Sequence, residues 1–226
     1  MKISIIMPVY NEERTISEIV RRVLAVDLDL ELLIVDDASR DGTASVLAGL
    51  RDPRIRVLRH ERNQGKGAAI RTAIKEARGD LIVIQDADLE YEPAQIPSLI
   101  DPIARGVADV VYGSRFLGGP HRVHLFWHYM GNRFLTFLSN LLNNLNLTDM
   151  ETCYKCFVRE QIQAIPLRSD RFGFEPEVTA KLARRKARFY EVPISYFGRD
   201  YAEGKKIRWV DGLVAVGAII RYRFFD

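Results

Sequence analysis

Short, nearly continuous apolar runs alternate with amphipathic stretches through the first half of the chain. ISIIMPV at 3–9, ELLIV at 31–35 and LIVIQ at 81–85 read as strands buried on both faces, with strand-like segments at 54–59 and 108–112. Between them, Ile16, Ile19, Val20, Val23 and Leu24 recur at helical spacing in residues 12–26, and 67–77 and 95–105 also read as helices. This order predicts an α/β fold with a mainly parallel central sheet flanked by helices. Two later stretches, 125–147 and 209–225, mix leucines and aromatics with Arg133, Arg221 and Arg223. They predict amphipathic helices that lie on protein or at a membrane interface, since a spanning helix would not carry such charges near its middle.

Composition adds an asymmetry. The 226 residues are 47% hydrophobic, enough to bury a full core as one large domain or two small lobes. The net charge is +3, yet residues 181–226 hold 11 Lys/Arg against 5 Asp/Glu, which leaves the first 180 residues at −3. The basic C-terminal quarter is suited to phosphate groups or an acidic membrane surface. No recognisable reading motif accompanies the basic residues, which argues against nucleic acid. The N-terminal apolar run is too short for a signal peptide and leads into a charged helix, so a cytoplasmic protein is expected.

The candidate chemistry sits where strands end. LIVIQDADLE at 81–90 finishes in Asp86 and Asp88, two carboxylates at i, i+2 that point the same way. Unpaired they would repel, and a hard divalent cation bridging them to a diphosphate would resolve that; solvated loop aspartates or helix caps would share the spacing. IVDDASRDGT at 34–43 likewise ends a strand in paired acids, and ISIIMPVYNEE at 3–13 closes its strand with a proline before a polar turn. NQGKGAAI at 63–70 opens a helix after a strand but departs from a dinucleotide fingerprint, because Ile70 stands where a small residue is needed. Lys66 there is either a phosphate-neutralising cation at a helix N-terminus or a solvated loop lysine.

PVYNE, VDDASRDGT, NQGKGAAI and DAD, in this order and at these separations, resemble the family 2 glycosyltransferases of GT-A fold. The resemblance spans the chain. It implies a nucleotide-diphospho-sugar donor, with Pro8, Tyr10 and Glu12 lining base and ribose and Val35 and Asp37 closing over the nucleoside. It implies that Asp86, Ala87 and Asp88 serve diphosphate and metal, Mg²⁺ or Mn²⁺, with Glu90 as a further oxygen ligand. Asp41 reads as a structural cap.

In the second half, GSRF, GNRF, TDMETCYKCF, FGFEPE and RDYAEGK resemble the dolichyl-phosphate mannose synthase branch, whose members act on polyprenyl phosphates. By that match residues 1–206 form the catalytic domain, with a nucleotide-sugar half at 1–112 and an acceptor half at 113–206, and 207–226 a C-terminal amphipathic helix. Arg115, Arg199 and Lys205 would hold the phosphate groups, and Asp88 and Arg115 would carry catalysis. A dolichyl or undecaprenyl phosphate is already ionised near neutral pH, so it needs no general base. Were the acceptor a saccharide hydroxyl, Glu175 or Glu177 would be the base; as matters stand they organise the site or cap a helix. A non-catalytic nucleotide-sugar binding module is the reading of another class, against which the intact DAD and the three basic residues argue. The chain ends without a further apolar segment, so peripheral contact with the cytoplasmic face of a membrane is expected, with room for an integral-membrane partner protein. GSRFLGGP at 113–120 reads as a mobile loop, His121, His124 and His128 as acceptor-loop or interface residues, and Cys153 and Cys156 as two reduced cysteines in a strand.

Overall fold

A computed structural model describes residues 1–118, 122, 125–198 and 209–225. In chain order its elements are β1 (Ile3–Val9), α1 (Ile16–Leu24), β2 (Leu30–Asp36), α2 (Thr43–Gly49), β3 (Ile55–Arg59), α3 (Lys66–Glu76), β4 (Leu81–Ile84), α4 (Ile96–Ala104), β5 (Val110–Ser114), α5 (Phe126–Asn143), β6 (Lys155–Val158), α6 (Arg159–Gln163), α7 (Phe174–Arg184), β7 (Phe189–Pro193) and α8 (Trp209–Phe224).

The strands form one seven-stranded sheet in the order β3-β2-β1-β4-β6-β5-β7. β6 runs antiparallel to β4 and β5, and the other pairings are parallel. Because side chains alternate along a strand, the apolar runs feed two cores. Ile3, Ile5, Met7 and Val9 of β1 join Leu32, Ile34 and Val83 on one face, covered by Ile16, Ile19 and Val23 of α1 and Leu99 of α4. Ile6, Leu33, Val35, Ile82 and Ile84 face the other way, against Ile70 and Ala73 of α3 and Phe174 and Val178 of α7. The register Val9↔Asp36 and Ile6↔Ile84 brings the carboxyl ends of β1, β2 and β4 to one edge. That edge is where an open α/β sheet receives ligands.

Several boundaries differ from the sequence expectation, each for a tertiary reason. The first helix starts at Ile16 rather than residue 12, because Asn11 turns at φ 54° and the Glu12 N–H is taken by Thr43 Oγ1 at 2.9 Å. Gly113 and Ser114 belong to β5 rather than to a loop; a side chain at Gly113 would press on Ile194 and Tyr154. Cys153 precedes β6 and only Cys156 lies in it; both are free thiols. α5 stops at Asn143, where Asn144 adopts a left-handed φ of 52° and the Asn140 amide bridges the N–H and carbonyl of Leu147.

α5 is two-faced in an unexpected sense. Its buried residues include Thr136, Ser139 and Asn143, whereas Phe126, Trp127, Met130, Phe134, Phe137 and Leu141 are exposed, Trp127 by 81%. α8 docks on the same side of the sheet as α7. Ile219 enters the second core, and the Tyr222 hydroxyl meets Ser169 Oγ at 2.9 Å.

Candidate active site

The turn after β1 and the loop after β2 are tied together. Asp37 N–H donates to the Val9 carbonyl, and the Asn11 N–H to Ser39 Oγ. Glu12 is buried, and its carboxylate accepts a bond from the Thr15 hydroxyl at 2.9 Å. Asp41 accepts from the backbone and hydroxyl of Thr43 and from the Glu13 N–H, and on balance these bonds hold its carboxyl below the usual range against the opposing effect of burial. It is a structural cap, as its position before α2 suggests.

Asp37 anchors the next loop. Its Oδ1 accepts the Gln64 N–H at 2.9 Å and faces His60 Nδ1 at 2.7 Å, and its Oδ2 accepts the Gly65 N–H at 2.7 Å. His60 is in turn bonded to Thr72 Oγ1 through Nε2. Gly65 sits at φ 102°, where a Cβ would also collide with the Asp170 carbonyl, so glycine is required on both counts. The loop thereby delivers Lys66 to the start of α3.

Lys66 is not a solvated loop lysine. Its ammonium donates to Asp86 Oδ1 at 2.7 Å and Oδ2 at 2.8 Å, and lies 2.8 Å from Cys153 Sγ. Burial opposes its charge, but Asp86, with Glu175 behind it, outweighs burial and holds it protonated well above the ordinary lysine range. Burial and the Asp86 charge push the Cys153 thiol up despite Lys66, so the sulfur is neutral.

Asp86, Ala87 and Asp88 leave the end of β4. Asp88 Oδ1 accepts the Glu90 N–H at 3.2 Å, and Leu89 is held at a left-handed φ of 63°. Glu90 turns toward β7: its Oε2 accepts the Tyr196 hydroxyl at 2.8 Å and its carbonyl accepts the Phe197 N–H. Tyr91 packs between Tyr154 and Tyr196, with ring centroids 5.2 and 5.3 Å away. Among the described residues no three His, Cys, Asp or Glu side chains are gathered into a ready metal cage. Asp86 and Asp88 fit a hard cation in donor type, and Asp86 already binds a positive group, the Lys66 ammonium. Glu90 does not join them in a cage here.

Arg115 extends from β5 into a buried ion pair. Its Nε and Nη2 donate to Asp149 at 2.6 and 2.7 Å, its backbone N–H adds a third bond, and its guanidinium stacks over Tyr196 at 5.2 Å. Burial disfavours its charge, and Asp149 more than compensates. Asp149 itself is fully buried and accepts a further bond from Asn132. Arg115 is therefore neither an ordinary surface arginine nor a loose phosphate hook.

The two glutamates at the start of α7 part company. Glu177 is consumed by structure, accepting the N–H groups of Arg168 and Ser169 at 2.7 Å each and pairing with Lys181. Glu175 faces the site, where Cys153 Sγ approaches its Oε1 at 3.8 Å. Sequence reasoning left His60, Asp149 and Tyr196 without roles. Asp149 lay inside a motif already singled out, whereas nothing local marked His60 or Tyr196. Pro8 and Val35 lie in β1 and β2, and Tyr10 follows Val9 in the turn after β1. Arg199, Lys205, His121 and His124 lie outside the described residues.

Residues 4–165 match the family model described as Glycosyl transferase family 2. The chain belongs to glycosyl transferase family 2. This family 2 glycosyltransferase is 30% identical over 217 residues to the undecaprenyl-phosphate mannosyltransferase of Micrococcus luteus, a match covering 91% of this chain and 87% of that protein. It is 30% identical over 210 residues to the undecaprenyl-phosphate 4-deoxy-4-formamido-L-arabinose transferase of Pseudomonas aeruginosa, covering 90% of this chain and 60% of that protein. Among solved structures it is similar in fold to glucosyl-3-phosphoglycerate synthase from Mycobacterium tuberculosis in complex with Mn²⁺, uridine diphosphate and glucosyl-3-phosphoglycerate. The TM-score is 0.75 at 20% identity, covering 98% of this chain and 79% of that one.

Proposed function

We propose that this glycosyltransferase moves a hexose, with inversion, from a nucleotide-diphospho-sugar of GDP-mannose or UDP-glucose type to a polyprenyl phosphate. The observation that carries the reading is one edge of the sheet where Asp86 and Asp88 stand with the Lys66 ammonium and the Arg115 guanidinium. Lys66 is paired with Asp86 and Arg115 with Asp149, and with the Asp88 carboxylate added this is an arrangement of charges that suits a diphosphate and its counterion better than a neutral ligand. The curated relatives are named for transfer to undecaprenyl phosphate, which supports the acceptor class. The solved neighbour that holds Mn²⁺ and uridine diphosphate supports a metal-dependent donor site.

Asp86 and Asp88 would hold Mg²⁺ or Mn²⁺, which when bound neutralises the departing nucleoside diphosphate. Pro8, Tyr10, Glu12, Val35 and Asp37 line the nucleoside side in this reading. Lys66 faces the diphosphate from the first position of α3; the Gln64, Gly65 and Ala68 N–H groups are taken by Asp37 and the Asp170 carbonyl, so the ammonium supplies the positive charge. A phosphate oxygen of the acceptor attacks the anomeric carbon in line as the bond to the diphosphate breaks. That oxygen is ionised already, so no side chain has to remove a proton. Arg115, kept charged by Asp149, with Arg199 and Lys205, provides the anion-attracting wall.

No described helix is long and apolar enough to cross a membrane. In our reading the exposed apolar stripe of α5, with Leu213, Val214, Ile220 and Phe224 of α8, rests in the interface of the membrane's cytoplasmic face and presents the site to the lipid headgroup. Arg221 in the last turn of α8 adds attraction to anionic lipid.

The test is transfer by the purified protein with Mg²⁺ or Mn²⁺, a panel of nucleotide sugars, and undecaprenyl phosphate or undecaprenol. Glycosylation of the phosphate and not the alcohol is expected. Transfer to the alcohol, or to a saccharide in preference to the lipid phosphate, would move the protein to the hydroxyl-acceptor class, with Glu175 as its base.

A further inference from the structure

The loop that delivers Lys66 has little of its own to hold it. Glu61, Arg62, Asn63 and Gln64 are all polar and all exposed. Gly65 sits at φ 102°, and glycine adopts either sign of φ about equally well. The direction in which the backbone enters α3 is therefore set from outside the loop. Three hydrogen bonds tie it to Asp37: the Gln64 N–H to Oδ1 at 2.9 Å, the Gly65 N–H to Oδ2 at 2.7 Å and the Asn63 side-chain amide to the backbone carbonyl at 3.3 Å. The orientation of the Asp37 carboxylate thus decides where Lys66 starts.

That carboxylate is buried, with its side chain 4% exposed, and its remaining partner is His60, 10% exposed, whose Nδ1 lies 2.7 Å from Oδ1. A carboxylate only accepts, so Nδ1 carries the hydrogen. The opposite nitrogen, Nε2, meets Thr72 Oγ1 at 2.9 Å on α3, the helix that Lys66 opens. The His60 backbone N–H donates to the Asp36 carbonyl at 2.9 Å, which fixes the ring's own base. Asp37, Gly65, α3 as far as Thr72, and His60 form a closed circuit of contacts. Lys66 lies on that circuit, its ammonium 2.7 Å from Asp86 Oδ1.

We propose that His60 is a positioning residue for transfer: by donating Nδ1–H to Asp37 it orients the carboxylate that carries Gln64 and Gly65, and so holds the Lys66 ammonium where the donor diphosphate binds. This rests on the nucleotide-sugar reading above. His60 acts through Asp37 and Lys66 and not by contact with the reacting atoms.

Calorimetric titration of the full chain with uridine or guanosine diphosphate, Mn²⁺ present, tests this. An asparagine amide nitrogen falls near the place of Nδ1, and a glutamine amide nitrogen near that of Nε2. His60→Asn is therefore expected to keep diphosphate affinity within about twofold of wild type, whereas His60→Gln and His60→Leu weaken it roughly tenfold, the cost of one hydrogen bond to a charged group. In a Lys66→Met background His60→Gln should weaken it no further, because two changes that act through one group do not add. Loss in His60→Asn equal to that in His60→Leu would make the ring a packing element and overturn the assignment. Full affinity in His60→Gln, or an undiminished tenfold loss in the Lys66→Met background, would overturn it as well. Should His60→Leu fail to fold, as urea unfolding would show, the contrast between His60→Asn and His60→Gln decides alone. A wild type that binds neither diphosphate would overturn the nucleotide-sugar reading itself.

Discussion

Removing Asp149 should separate the structural share of Arg115 from its chemical share. Asp149 is fully buried and takes three hydrogen bonds from Arg115, whose side chain keeps only 13% exposure. Breaking a buried pair by deleting one partner costs about 3–5 kcal/mol, because the other charge is left unpaired. The residual exposure of Arg115 puts Asp149→Ala at the lower end, about 3 kcal/mol, and for a domain of this size that lowers Tm by roughly 6–12 °C. Arg115→Met combined with Asp149→Leu leaves no unpaired charge and should recover much of the loss. Urea titrations of Asp149→Leu, Arg115→Met and the double variant close the cycle. A cost below about 0.5 kcal/mol for either single variant, or simple additivity of the two, would refute the argument. The pH dependence has a definite sign. Burial would raise the Asp149 carboxyl, yet Arg115 holds it below the ordinary value on balance. A carboxyl depressed in the folded state stabilises above its unfolded pKa, near 3.9, and loses that contribution as pH falls through the folded one. The gap between wild type and Asp149→Asn should therefore narrow on acidification below the ordinary carboxylate range.

Asp88→Asn is expected to abolish nearly all transfer and to weaken metal-dependent donor binding; wild-type turnover, or full activity in excess EDTA, would sink the metal assignment. Lys66→Met frees Asp86, so Mn²⁺ alone should bind about two- to fivefold tighter, the span of a partly exposed ion pair, while a nucleoside diphosphate binds more weakly; unchanged titrations would remove Lys66 from the site. Glu175→Gln should leave substantial transfer to a polyprenyl phosphate, whereas a loss on the order of 100-fold would mark Glu175 as a base acting on a hydroxyl acceptor. Glu177→Gln should instead cost about 1.5–3 kcal/mol of stability, read by urea unfolding, because its carboxylate holds two backbone N–H groups and Lys181.

The contrast between Glu175 and Glu177 shows where sequence reasoning ran out. Two residues apart at the start of one helix, they face in different directions, and only the path of residues 168 and 169 decides which one is consumed by backbone N–H groups. α5 makes the same point. Its composition announced an amphipathic helix, but not that Thr136, Ser139 and Asn143 would face inward and the aromatics outward. Helical spacing defines faces and leaves their assignment to the partner surface.

What the sequence determined by itself was the frame. Near-continuous apolar runs demand cover on both faces, and helices between them demand a mainly parallel sheet, so acids placed at the ends of β2 and β4 had to emerge at one edge. Those are local rules, obeyed wherever the runs occur. Tertiary structure decided the pairings: Arg115 with Asp149 across 34 positions, Lys66 with Asp86 across 20, and Tyr196 with Glu90 across 106. A charge in a desolvated cleft takes whichever counter-charge the fold brings within reach, and that choice has no signature in local spacing.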